Sequence, residues 1–160
     1  MQITYHGDGI FKFKTKFATI ITGDDIKIND YSLPGAGEYE VSEIQTEVID
    51  NITVFHNDGL NVVYLDKRKK TLSDKDIERV NEADILFIPV GGGHVYDVKQ
   101  AIEAIGQIEP KIIIPMYYSD ISEFKKTIGG IQEELDELKI TKSQISDDDQ
   151  KKVVILSCKN

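Results

Sequence analysis

Few side chains in this sequence are equipped for chemistry, and they are loosely spaced. The three histidines, His6, His56 and His94, lie far apart along the chain. No two share the near-neighbour or helical spacing that would bring a pair of imidazoles onto one ion. Zinc takes about four ligands in a structural site, or three and a water in a catalytic one, drawn from Cys, His, Asp and Glu. The lone cysteine, Cys158, excludes a cysteine-built zinc site and an internal disulfide framework. No Ser-His-Asp or Cys-His arrangement suggests itself.

Four other groups of residues remain. Asp66 precedes Lys67-Arg68-Lys69-Lys70. It is either a carboxylate facing a site or the start of a solvated turn, and the run of charge favours the turn with a wet basic patch. Gly91-Gly92-Gly93-His94 falls between an apolar segment and a helical one, where backbone N–H groups can cradle an anion. It lacks both the G-x-G-x-x-G spacing and the Walker lysine, so a flexible turn that lets strand ends approach competes with anion binding. Tyr117-Tyr118 follows another apolar segment; one ring is expected to pack inward while the other offers its hydroxyl. Glu133, Glu134 and Glu137 are expected on the solvated side of a helix whose other face is apolar.

These residues must be positioned by two unlike halves. Residues 1 to 65 hold short β-branched or aromatic segments between turn residues. Strands are predicted at Gln2–Tyr5, Ile10–Lys14, Ala18–Thr22, Asp25–Ile28, Tyr39–Val48, Ile52–His56 and Leu60–Leu65, with Asn57-Asp58-Gly59 as a hairpin turn. From residue 71 helices alternate with apolar strands. Ser73 and Asp76 form a helix start stapled by Leu72 and Ile77, and Ala83–Pro89 is a strand covered on both faces. Val98, Ala101, Ile102 and Ile105 mark a helix that Gly106 is expected to stop. Lys111–Pro115 is a further buried strand. Phe124, Ile128, Ile131, Leu135 and Leu138 recur at helical spacing, with a kink or break expected at Gly129-Gly130. Asp147-Asp148-Asp149 reads as a solvated turn before a last strand, Lys152–Leu156. Crossovers of this length imply parallel or mixed pairing in the second half, and two sheets packed face to face with helices outside accommodate the order.

Composition bounds the function. The chain has 160 residues, 29% of them charged, and a net charge of −9. One domain spanning 1–160 is expected, with a surface that repels nucleic acid and anionic lipid. No stretch approaches the roughly 20 apolar residues a membrane span needs, and nothing at the N-terminus reads as a signal peptide. A cytoplasmic protein is the expectation.

Gly35-Ala36-Gly37-Glu38-Tyr39-Glu40-Val41, Asp84-Ile85-Leu86-Phe87-Ile88-Pro89-Val90-Gly91-Gly92 and Pro110-Lys111-Ile112-Ile113-Ile114-Pro115-Met116 occur in an order that resembles the metallo-β-lactamase-fold hydrolases. The resemblance is to a small bacterial group named zinc-dependent hydrolases. It implies an α/β fold, a truncated αββα sandwich with a metal site at one edge of the paired sheets. It departs from the family where the family's chemistry is concentrated. The His-x-His-x-Asp-His loop has no counterpart, because Asp25–Asp30 runs straight into Tyr31-Ser32-Leu33-Pro34. The family's Pro-Met-His-Tyr reads Pro115-Met116-Tyr117-Tyr118. The resemblance implies that Asp66 keeps the place of a bridging aspartate and that Asp8 stands where a first-loop histidine is usual.

The expectation from these departures is a non-catalytic domain that has lost its metal site, needs no cofactor, and serves as an association module. Its partner would be a second copy or another protein. One alternative is a residual metal-dependent hydrolase of an ester or phosphodiester, using zinc or manganese held by Asp66, His94 and His6 with a tyrosine oxygen. Another is a small-anion or nucleotide-binding module built on Gly91, Gly92, Gly93, Tyr117 and the Lys67–Lys70 run.

Overall fold

The computed structural model describes residues 1–148 and 150–159. Its first half is all strand: β1 (Gln2–Tyr5), β2 (Phe11–Lys14), β3 (Thr19–Ile21), β4 (Lys27–Ile28), β5 (Tyr31–Ser32), β6 (Gly37–Val41), β7 (Ile44–Ile49), β8 (Ile52–Asn57) and β9 (Leu60–Leu65). Its second half interleaves α1 (Asp74–Val80), β10 (Ile85–Pro89), α2 (Val98–Ile108), β11 (Ile112–Met116), α3 (Ser122–Ile128), β12 (Ile131–Leu135), β13 (Leu138–Lys139) and β14 (Lys152–Leu156). These strands form a six-stranded sheet, β13-β1-β2-β3-β4-β5, and an eight-stranded sheet, β12-β14-β11-β10-β9-β8-β7-β6.

Side-chain alternation explains how the sheets stack. In β2 the rings of Phe11 and Phe13 are buried while Lys12 and Lys14 point away. The rings meet Phe87 of the opposing sheet at centroid distances of 4.6 and 5.3 Å. Ile3, Ile20, Phe55, Val62, Tyr64 and Ile114 complete this inter-sheet core. Each such side chain contributes about 1.5–3 kcal/mol by leaving water. The other face of the eight-stranded sheet buries Val63, Leu86, Ile88 and Ile113 beneath Val80 of α1, Ala101 and Ile105 of α2, and Phe124 of α3. Every residue of β10 is therefore buried, as its unbroken apolar run predicts. The outer face of the six-stranded sheet presents Thr4, Lys12 and Lys14 instead, a surface that water covers without a helical layer.

Local chemistry accounts for the boundaries. Ser73 and Asp76 form the expected capping box, each side chain accepting from the other's backbone N–H. The segment predicted as one strand, Tyr39–Val48, is a hairpin. Ser42 and Glu43 take φ of 48° and 65°, a two-residue turn without the Asn-Gly or Asp-Gly signal that marks such turns in a sequence. Gly106 lies inside α2, which ends at Ile108 with Glu109 left-handed at φ 54°. The apolar stripe from Phe124 to Leu138 is helical only to Ile128. Gly129 and Gly130, at φ 60° and 72°, turn the chain into β12, which pairs with β14 in parallel. Glu133 and Glu134 accordingly lie on a strand, not a helix, while Glu137 accepts from Gln2 and pairs with Lys139. Asp147 and Asp148 form a turn; Asp149 lies outside the described residues.

Candidate functional site

Strands β9, β10, β11 and β14 run in parallel, so their C-terminal ends open on one side. Asp66 follows β9, Gly91 comes shortly after β10, and Tyr117 follows β11. Ligands in sheets of this kind bind in the crevice outside such ends. The β1–β2 loop of the other sheet brings Gly9 to the same place.

The Tyr117 hydroxyl donates to Asp66 Oδ1 at 2.6 Å. Tyr64, fully buried, donates to the Gly9 carbonyl at 2.8 Å, and its oxygen lies 3.3 Å from Asp66 Oδ1 and 3.5 Å from the Tyr117 hydroxyl. Thr22 adds a second bond to the Gly9 carbonyl, at 2.9 Å, while accepting from the Phe11 N–H. Both sheets thus fix one carboxylate and two phenols. Burial, reinforced by the Asp66 charge, pushes both phenols well above the usual tyrosine range, so each keeps its proton.

The backbone is bent to make this contact. Tyr117 sits at φ 55°, a left-handed conformation costing a bulky residue about 1–3 kcal/mol. Two glycines make room for it. A Cβ on Gly9 would stand 2.2 Å from the Tyr117 hydroxyl, and one on Gly91 would stand 1.7 Å from the Tyr117 carbonyl oxygen.

Asp66 begins a turn with exposed Lys67, as expected, yet its carboxylate is not left to solvent, since it accepts the Tyr117 hydroxyl. The basic run behind it is not uniformly wet either, because Arg68 is 4% exposed. Its guanidinium donates to the carbonyls of Lys70 and Thr71 and to Asp76 Oδ2. Tyr96 closes the same loop by donating from its hydroxyl to the Lys70 carbonyl and from its backbone N–H to the Arg68 carbonyl. Exposed Lys67, at φ 38°, reaches Asp24 at 2.8 Å. That contact raises the lysine's pKa and lowers the aspartate's.

The other expected residues separate. Gly92 spends its N–H on the Tyr96 carbonyl, and Gly93 and His94 are exposed. Gly91 and Gly92 are thus explained by packing and turn geometry. His6 bonds to Thr4, and His56 bonds to Asn61 on the neighbouring strand. Tyr118 packs toward the helix-side core, so the two tyrosines do divide as expected. Tyr64, Thr22 and Gly9 were not foreseen. For Tyr64 a signal existed, since residues two apart on a strand share a face and Tyr64 stands two before Asp66.

A family model described as a beta-lactamase superfamily domain matches residues 3–117. The chain belongs to that superfamily. A metal-dependent hydrolase of Nanoarchaeum equitans is 38% identical over 66 residues, covering 35% of this chain and 31% of that protein. One from Pyrococcus furiosus is 28% identical over 106 residues, covering 62% and 41%. The chain thus spans well under half the length of these curated relatives. A Thermotoga maritima structure, assigned to the zinc-dependent hydrolases of the metallo-β-lactamase superfamily, superposes with a TM-score of 0.85 over 98% of this chain and 100% of its own at 22% identity. That likeness shows the fold, and the mixed α/β sandwich is the one expected.

These relatives overturn two expectations. All are named metal-dependent hydrolases, which leaves the non-catalytic association module without support, and the same name contradicts the expectation that no cofactor is involved. The residues in this superfamily domain still do not fit a complete centre. Among the described residues no three His, Cys, Asp or Glu side chains stand together to hold an ion. One carboxylate beside two phenols is not the donor set of a zinc site.

Proposed function

We propose that the protein is a metal-dependent hydrolase of an ester or phosphodiester, and that Asp66 is the carboxylate this chain brings to the reaction. The names of its relatives support the reaction class and the metal requirement. The observation that carries the location is the 2.6 Å contact between Asp66 and Tyr117 at the C-terminal ends of the parallel strands. Asp66 offers an acceptor for a water's proton, and the Tyr117 phenol stays protonated as a donor toward an oxygen that gains charge.

The test is hydrolysis of p-nitrophenyl esters and bis(p-nitrophenyl) phosphate with added Mn²⁺ or Zn²⁺, and again in chelator. Activity that rises with metal and is lost in Asp66→Ala supports the reading. Turnover absent with every metal, or unchanged by Asp66→Ala combined with His94→Ala, contradicts it.

No helix among the described residues is long and apolar enough to cross a membrane, and a cytoplasmic location belongs to the same proposal. So does a second copy covering the edge strands β5 and β6; sedimentation as a monomer at high concentration contradicts that part.

A further inference from the structure

We propose that the outer face of the six-stranded sheet is a docking surface for an acidic segment of another polypeptide. None of the residues around Asp66 takes part, so this face and the hydrolytic reading stand or fall separately.

Strand register lays the face out. Ile3, Phe11, Phe13, Ile20 and Ile28 are buried between the sheets, so the residues alternating with them point outward. Cross-strand pairing sets those residues in two rows. One runs Lys139, Gln2, Lys14, Thr19 across β13, β1, β2 and β3. The other runs Thr4, Lys12, Ile21, Lys27, Ser32 from β1 to β5. Neither row contains a carboxylate, in a chain whose net charge is −9. Glu137, beside the first row, is engaged with Gln2 and Lys139.

Three observations set these lysines apart from ordinary surface charge. The ammonium groups of Lys12, Lys14 and Lys27 have no hydrogen-bond or ion-pair partner among the described residues. Lys12 and Lys14 stand on β2, an interior strand, so they do not guard an edge against pairing. Their direct cross-strand neighbours, Thr4, Ile21, Gln2 and Thr19, offer no opposite charge. Finally, both lysines border a hollow of about 310 Å³ that Thr4 and Lys159 also line. α1, α2 and α3 all pack on the other sheet, which leaves this face open.

Spacing and chemistry favour carboxylates as the occupants. Neighbours along a row are about 5 Å apart and the rows about 7 Å apart, so charges recur every 7–10 Å or so. An extended chain repeats a face about every 7 Å, and a helix brings residues i and i+7 about 10 Å apart. Acidic side chains on either reach two lysines at once. Neither row holds an aromatic ring on which a base could stack, or an arginine to fork onto a phosphate. The protein's overall negative charge also opposes a polyphosphate or an anionic bilayer. Gln2, Thr4 and Ser32 supply hydrogen bonds for a peptide backbone, and Ile21 supplies an apolar contact.

The test is fluorescence anisotropy of a labelled glutamate oligomer titrated with the protein at low and physiological salt. Labelled oligothymidylate of matching length and phosphatidylglycerol vesicles are run beside it. The face variant is Lys12→Glu with Lys14→Glu. Lys99→Glu with Lys126→Glu, on α2 and α3, makes the same change of charge elsewhere. The glutamate oligomer is expected to bind more weakly as salt rises, to lose at least about tenfold in affinity for the face variant, and to lose less than about twofold for the control. No binding at low salt overturns the proposal, as does an equal loss in both variants. Tighter binding of oligothymidylate or of vesicles assigns the face to a different class of partner and overturns it too. Should the face variant fail to fold by circular dichroism, Lys12→Gln with Lys14→Gln decides: a loss of about threefold or more supports the proposal, and unchanged affinity overturns it.

Discussion

Two aspartates terminate the same group of parallel strands at opposite ends, and their surroundings could hardly differ more. Asp84 precedes β10 and is 3% exposed. The Asn61 N–H donates to its Oδ2 at 2.8 Å, and the Lys142 ammonium to its Oδ1 at 2.7 Å. Both oxygens are engaged by strong donors, and the tie pins the turn at Lys142–Gln144 to the sheet. Asp66 follows β9 at the other end, has no ammonium or guanidinium bonded to it among the described residues, and receives the hydroxyl of a strained tyrosine. A hollow of about 510 Å³ lies at the Asp84 end, yet Lys142 and Lys111, which line it, are already engaged with Asp84 and the Asp147 carbonyl. The comparison separates a carboxylate whose two oxygens tie the fold together from one that takes only phenolic hydroxyls, and on the proposed function the state of the polar groups is a better guide than the size of a hollow.

The largest effect expected at the Asp66 end comes from Gly91→Ala. Its new Cβ falls on the Tyr117 carbonyl oxygen, and such overpacking costs about 3 kcal/mol, to be seen as a lowered urea midpoint. Next, Asp84→Ala leaves the Asn61 N–H unpaired and costs about 2 kcal/mol. Asp66→Ala changes stability by about 1 kcal/mol, because Tyr64 keeps its bond to the Gly9 carbonyl and only the partly buried Tyr117 hydroxyl loses its acceptor. Equal losses from the two aspartates would erase the distinction. Tyr64→Phe removes one of two donors to the Gly9 carbonyl and costs about 1 kcal/mol, since Thr22 still serves that carbonyl.

A smaller effect depends on pH. Burial opposes ionisation of Asp76, but the Ser73 backbone and hydroxyl and the Arg68 guanidinium outweigh it and hold the carboxyl below its ordinary 3.8. A lowered folded pKa adds stability that is complete above 3.8 and is lost as the pH falls through the folded value. The advantage of the wild type over Asp76→Asn should therefore shrink between neutral pH and strong acid in thermal melts. A gap that grows on acidification contradicts the assignment. Lys67→Ala, which breaks only the exposed pair with Asp24, should leave the melting temperature unchanged.

Much of this molecule was legible before its structure. β2 declared itself by alternation, β10 by its unbroken apolar run, and α1 by its capping box. What stayed hidden depends on non-local contact or on unusual φ. Ser42-Glu43 turns a hairpin with residues that rarely do so, and Glu109 outlasts the expected stop at Gly106. β12 carries helical spacing but is drawn into the sheet by β14. At the site, the sequence offered Asp66, Gly91 and Tyr117 as separate possibilities. Only the parallel arrangement of β9, β10 and β11 places them together, and only Gly9, from the other sheet, shows why the tyrosine sits where it does.

The most direct test is the rate of hydrolysis per folded molecule for wild type, Asp66→Ala and Asp84→Ala, measured in one divalent ion with folded fractions fixed by circular dichroism. The account predicts that Asp66→Ala loses turnover by about a hundredfold or more while Asp84→Ala, though less stable, turns over at the wild-type rate. Turnover surviving in Asp66→Ala and vanishing in Asp84→Ala would place the chemistry at the wrong end of the sheet and contradict it.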